Sequence, residues 1–130
     1  MIADVKIIKG LPIEQIDQFV DKTVYNTAVI TREFTKNANA YPYLTGELMR
    51  QEVAQPVVGS DKNYGLLSGV DYAKYVWNFK KANWTNPSTK PRWYYSVFNK
   101  DGATILCDAV IKSLKGLKWP NKILKIKISF

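Results

Sequence analysis

The chain has no histidine and a single cysteine, Cys107. The first absence removes the commonest general base and the commonest metal ligand. The two together exclude zinc sites built from Cys and His. Cys107 has no partner for an internal disulfide, and in the apolar run ATILCDAVI it reads as a small buried core residue. A catalytic thiol would want an imidazole beside it. Long apolar runs are missing too, so no bilayer-spanning helix and no membrane partner are expected. Met1 opens into IADVKIIKG, which lacks the layout of a signal peptide; the expectation is a chain made and kept in a reducing cytoplasm. There is no Gly-rich phosphate loop, dinucleotide fingerprint or Gly-x-Ser-x-Gly elbow, and no cofactor is expected. Glu47 and Glu52 come nearest to a catalytic carboxylate pair, but they lie five apart on what reads as a short exposed helix. The chain is expected not to be an enzyme.

What is present is a globular composition of 130 residues with 46% hydrophobic side chains, long enough to bury a core as one domain, 1–130. Charge is unevenly placed. Residues 1–73 carry a balance of −2, whereas residues 74–130 hold only Asp101 and Asp108 against twelve Lys/Arg, a balance of +10. A basic half suggests an acidic partner, with nucleic acid the first candidate; the plainer alternative is a solvated basic face.

Along the chain, the first ten residues suit a short strand ending at Gly10. Pro12 then opens a helix, with Glu14 and Asp17 opposing its dipole. Ile13, Ile16, Val20, Val24, Ala28, Thr31 and Phe34 recur at spacings of three and four, one apolar stripe over about six turns. That stripe is either intramolecular core or a surface for a partner helix. After Tyr41-Pro42-Tyr43, whose tyrosines either make exposed contacts or close the core edge, Thr45 can cap a short helix. Val53–Val58 and Tyr64–Val70 read as a hairpin around a loop of about five residues, 59–63, with Pro56 arguing for an edge strand or a late start. Asp71 can cap a short helix holding Tyr72, Tyr75, Val76 and Phe79. Residues 80–90 form a loop in which Trp84 either plugs back onto the domain or anchors a contact. Pro91 opens a last helix, unless Asp101-Gly102 is a hairpin turn after a strand ending at Phe98. Leu106, Ala109, Val110, Leu114 and Leu117 continue with helical spacing to near Gly116. Finally Leu124, Ile126, Ile128 and Phe130 alternate with Lys125, Lys127 and Ser129, the period-two pattern of a half-buried strand. It is either the edge of this domain's own sheet or a strand that pairs with a neighbour.

The succession of Thr45-Gly46-Glu47-Leu48, the 53–70 hairpin, Tyr72-Ala73-Lys74-Tyr75, the 83–92 loop and Trp93 entering a helix resembles tailed-phage neck, tail-completion (head–tail joining) and minor capsid proteins. One departure is Val76-Trp77-Asn78-Phe79, where such proteins commonly carry an acidic residue and a glycine. The resemblance implies an α+β fold in which a long N-terminal helix and a C-terminal helix pack on a small antiparallel β-sheet. It implies a non-catalytic virion protein at the head–tail junction that assembles as a ring and contacts neighbouring portal, connector and tail proteins. In such a ring each copy presents one surface to a different surface of the next. Tyr72, Tyr75, Trp84 and Trp93 are then the expected subunit-contact anchors. Lys80, Lys81, Lys125 and Lys127 are the residues expected to face a channel through which double-stranded DNA passes. The alternative is a small basic nucleic-acid-binding protein, with phosphates on Lys and Arg and bases stacked on Tyr or Trp.

Overall fold

A computed structural model describes residues 2–7, 13–42, 46–70, 72–77, 88–117 and 124–129. The fold is α+β, with a long N-terminal and a long C-terminal helix and small antiparallel strand pairs. Helix α1 runs Ile13–Asn37 over 25 residues, with Glu14 in its first turn and Lys36 in its last, each of the sign that the helix dipole favours. Four threonines in α1 return their hydroxyls to the carbonyl four residues earlier: Thr23, Thr27, Thr31 and Thr35, each at 2.7 Å. This satisfies the hydroxyls within the helix, so Thr31 and Thr35 can be buried at low cost.

The apolar stripe expected on α1 is divided. Ile13, Ile16 and Val20 remain exposed, at 84, 39 and 39%. The buried face comprises Asn26, Ile30, Thr31 and Thr35. The seam of the domain is α1 against helix α4, which spans Trp93–Gly116. Helix α4 passes through Asp101-Gly102 without a break, so the alternative of a hairpin turn there is ruled out. A mid-helix glycine costs about 1 kcal/mol. Burial of Val97 before it and Ile105, Ala109 and Leu114 after it outweighs that cost. Across the seam the Asn26 side-chain amide donates to Ser113 Oγ at 3.0 Å, and Ser113 donates to the Ala109 carbonyl at 2.7 Å.

Between the long helices lie helix α2 (Glu47–Ala54), strands β2 (Val57–Ser60) and β3 (Asn63–Leu66), and the single turn α3 (Ala73–Val76). The expected cap Thr45 lies outside the described residues. The N-cap position of α2 is Gly46 in the left-handed region (φ 81°), with no side-chain cap. Helix α2 continues through Ala54, so the strand expected from Val53 starts late, after Pro56. The hairpin loop is two residues, not five: Ser60 pairs with Asn63, and both Asp61 and Lys62 have positive φ (51° and 65°). That is the backbone sign of a type I′ turn, whose twist matches the strands it joins. The hairpin rests against α1.

Strands β1 (Ile2–Ile7) and β4 (Leu124–Ser129) pair antiparallel, and their main contacts are with each other. The alternating C-terminal strand therefore pairs with this chain's own N-terminal strand. The register sets Ala3, Val5 and Ile7 opposite Ile128, Ile126 and Leu124, and sets Asp4 opposite Lys127 and Lys6 opposite Lys125. Residues 8–10, including the expected strand end at Gly10, lie outside the described residues.

Candidate functional site

Four aromatic residues, Tyr41, Trp77, Trp93 and Tyr94, converge where α2, α3 and the start of α4 meet. The segment ahead of α4 fixes it. Lys90 donates its backbone N–H to the Ala40 carbonyl at 3.0 Å, and Arg92 donates its own to Trp77 at 2.7 Å. Thr89 donates its hydroxyl to the Tyr41 carbonyl at 3.2 Å. Arg92 itself takes a left-handed conformation (φ 46°), and Ser96 donates back to the Pro91 carbonyl. These ties deliver Trp93 into the core, where it is 2% exposed and meets Trp77 edge-on with ring centroids 4.6 Å apart. Tyr41 packs against both Trp93 and Tyr94. Edge-on and tilted contacts of this kind set the positive ring edge on the negative face of its neighbour.

A chain of polar groups runs through this cluster. The Tyr41 hydroxyl donates to the Tyr94 oxygen at 3.1 Å, and Tyr94 donates to Glu52 Oε2 at 2.7 Å. Glu52 is 1% exposed. It was expected on an exposed helix beside Glu47. Instead, α2 turns Leu48 and Glu52, four residues apart, into the core and leaves Glu47 outward with Arg50 and Gln51. Burial raises the Tyr41 phenol to about 12, an effect opposed by its hydrogen bond to Tyr94. Burial, then the neighbouring Tyr41, then the bond to Glu52 push Tyr94 well above the ordinary tyrosine range. Both phenols therefore stay protonated and remain donors at neutral pH. Arg32 gives Nη1 to the Gln55 carbonyl at 2.6 Å.

Glu52, Leu66, Ser68, Ala73, Trp77, Trp93 and Tyr94 line a cavity of about 270 Å³. A second polar arrangement clasps the hairpin to α1. Asp21 accepts the backbone N–H of Lys62 at 2.8 Å and the Tyr64 hydroxyl at 2.9 Å, while the Lys62 ammonium pairs with Asp17. The Lys62 N–H, then the Tyr64 hydroxyl, hold the Asp21 carboxyl below its usual value. Tyr25 closes this contact with its ring edge-on to Tyr64 at 5.5 Å.

A search of protein-family models, curated proteins and solved structures finds no match.

The residues expected as contact anchors are scattered by the fold. Tyr72 is 43% exposed just before α3, free to meet another surface. Trp93 is core, so its contribution is to wall the cavity, not to reach a neighbour. Tyr75 belongs to α3 by its backbone, and its side chain lies outside the described residues, as do Trp84, Lys80 and Lys81 and the expected cap Asp71. Lys125 and Lys127 lie on β4 in register with Lys6 and Asp4, so an acidic residue stands opposite one of them. Sequence reasoning missed Glu52. The signal was its register: it shares the apolar face of α2 with Leu48, where a carboxylate is out of pattern. Among the described residues no helix is long and apolar enough to cross a membrane, and no group of His, Cys, Asp and Glu side chains could hold a metal ion.

Proposed function

We propose that this chain is a structural subunit of a tailed-phage head–tail junction, a neck, tail-completion or minor capsid protein made in the host bacterial cytoplasm and assembled as a ring in the virion. One observation carries the reading, the order of elements. A long α1 is followed by a glycine-started α2, a tight hairpin, a tyrosine-bearing turn, a long α4 and a terminal strand. That order follows the succession of motifs on which the resemblance rests. Copies associate head to tail, portal, connector and tail proteins lie on either side, and DNA passes through the ring. Tyr72, Tyr75 and Trp84 are the contact anchors in this reading, and Lys80, Lys81, Lys125 and Lys127 face the channel.

The test is the mass of the purified protein in solution, alone and with portal and connector proteins. Incorporation into a connector ring is the expected result, with Trp84→Ala impairing it. Normal rings from Trp84→Ala would remove Trp84 from the contacts. A stable monomer or dimer that ignores those proteins and binds DNA with a steep loss of affinity in salt would replace this reading with a nucleic-acid-binding one.

A further inference from the structure

The cavity walled by Trp77, Trp93 and Tyr94 has a carboxylate at its lining and apolar side chains, Leu66 and Ala73, beside it. Glu52 is buried almost completely. Among the described residues its hydrogen bond is the one from Tyr94, and no lysine or arginine reaches it as an ion pair. Arg32, whose charge is felt at the neighbouring Tyr41, directs Nη1 to the Gln55 carbonyl. A buried carboxylate without a counter-ion is costly. It is doubly unusual in a chain that carries +8 overall and has 19 basic residues.

Rings and carboxylate favour the same ligand. The faces of tryptophan and tyrosine attract a cation through their quadrupoles, most strongly where water is excluded. A carboxylate in a site of low dielectric attracts it further. Leu66 and Ala73 suit the alkyl stem that carries an ammonium or guanidinium head, since such stems pack on apolar surface while the head seeks charge. An anion would meet Glu52 with like charge, and a neutral apolar molecule would leave Glu52 uncompensated.

We propose that this cavity is a binding site for an organic cation, an ammonium or guanidinium on a short alkyl chain, held against Trp77, Tyr94 and Leu66 at its wall and attracted by the Glu52 carboxylate buried beneath them. The ligand chemistry has two sources, a lysine or arginine side chain of a second copy and a free alkylamine. The proposal stands on the cavity alone and does not depend on a role at the head–tail junction.

The experiment uses the full ¹⁵N-labelled chain titrated with n-butylammonium and n-butylguanidinium chloride, with 1-butanol as the neutral comparator, all at constant ionic strength. The indole N–H signals of Trp77 and Trp93 report occupancy. Both cations are expected to shift these signals and to bind roughly tenfold or more tighter than butanol. Glu52→Gln, which keeps an acceptor for Tyr94, is expected to erase that preference while leaving butanol binding as it was. Equal affinity for cations and butanol overturns the proposal, as does an absence of shifts or a preference that survives in a folded Glu52→Gln. Should that variant fail to fold by near-UV circular dichroism, the ratio of cation to butanol affinity in the unaltered protein still decides. Mass in solution then separates the sources. A second copy is the donor if butylguanidinium disperses associated chains, and a free amine is the ligand if association is unchanged while the cavity fills.

Discussion

Replacing Ser113 by alanine tests what holds α1 and α4 in register. Asn26 and Ser113 are both buried, at 8 and 1% exposure, and the 3.0 Å bond from the Asn26 amide to Ser113 Oγ ties the two helices across the seam. Removing the hydroxyl strands a buried amide donor, which costs about 1–3 kcal/mol. The apolar methyl left behind offsets only a few tenths of a kcal/mol, so Ser113→Ala is expected to lose about 1–2 kcal/mol. Asn26→Leu behaves differently. It leaves no donor unsatisfied, because Ser113 keeps its own bond to the Ala109 carbonyl at 2.7 Å. A change of similar shape costs below about 1.5 kcal/mol. With Asn26→Leu already present, Ser113→Ala strands nothing. The double variant is expected to match Asn26→Leu, and the cycle to give a coupling of about 1–2 kcal/mol. Equilibrium urea unfolding of the four proteins measures it. Additivity within about 0.5 kcal/mol would show that the two side chains do not act as a pair and would refute the reasoning.

Further outcomes follow from the same geometry. Because its hydrogen bonds hold the Asp21 carboxyl below the ordinary aspartate value of about 3.9, the clasp it makes is fully present above that pH and is lost as pH falls through the lower folded value. Amide protection in β2 and β3, taken relative to the intrinsic exchange rate at each pH, should fall on acidification in the native chain, and Asp21→Asn should flatten that response. The opposite sign holds for Tyr41: with its folded value raised to about 12, its contribution is complete below about 10 and fades as pH climbs toward 12. In a tyrosinate absorbance titration, Tyr41→Phe and Tyr94→Phe should leave the amplitude developed below the alkaline unfolding transition unchanged. Gly59→Ala should destabilise by about 1–3 kcal/mol, because φ is 129° there and an added Cβ would stand 2.0 Å from the Asn63 carbonyl oxygen. A thermal midpoint within a degree of the native chain's would contradict that geometry.

Helix α1, the second half of α4 and the last strand were legible from spacing alone. The period of α1 survives its threonines, and the Ile/Lys alternation from Leu124 marks β4. The hairpin was legible as a pair of strands but misjudged at its tip. Ser60 and Asn63 look like loop residues, and only their pairing shows that they close the ladder over a two-residue turn. Asp101-Gly102 was ambiguous for a related reason: the dipeptide is turn chemistry by itself and helix once Val97 and Ile105 on either side are buried. The candidate site was the least legible. The resemblance makes Trp93 a contact anchor and the short α2 reads as an exposed helix carrying Glu52, yet both residues are core, because the Lys90, Arg92 and Thr89 bonds draw the start of α4 under Tyr41.

By itself the sequence determined the kind and order of the strongly periodic elements, α1, the second half of α4 and β4, together with the excess of basic charge in the second half and the want of histidine and paired cysteine chemistry. These are properties of neighbouring residues, and the periods of helix and strand register them locally. Tertiary structure alone decided that β4 pairs with β1, that Ile13, Ile16 and Val20 stay exposed on an otherwise core-facing helix, and that Glu52 is buried beneath Tyr94. Periodicity tells which residues share a face, but what covers that face comes from segments far along the chain. Tyr94, 42 residues from Glu52, supplies the hydrogen bond that lets a carboxylate occupy a core position.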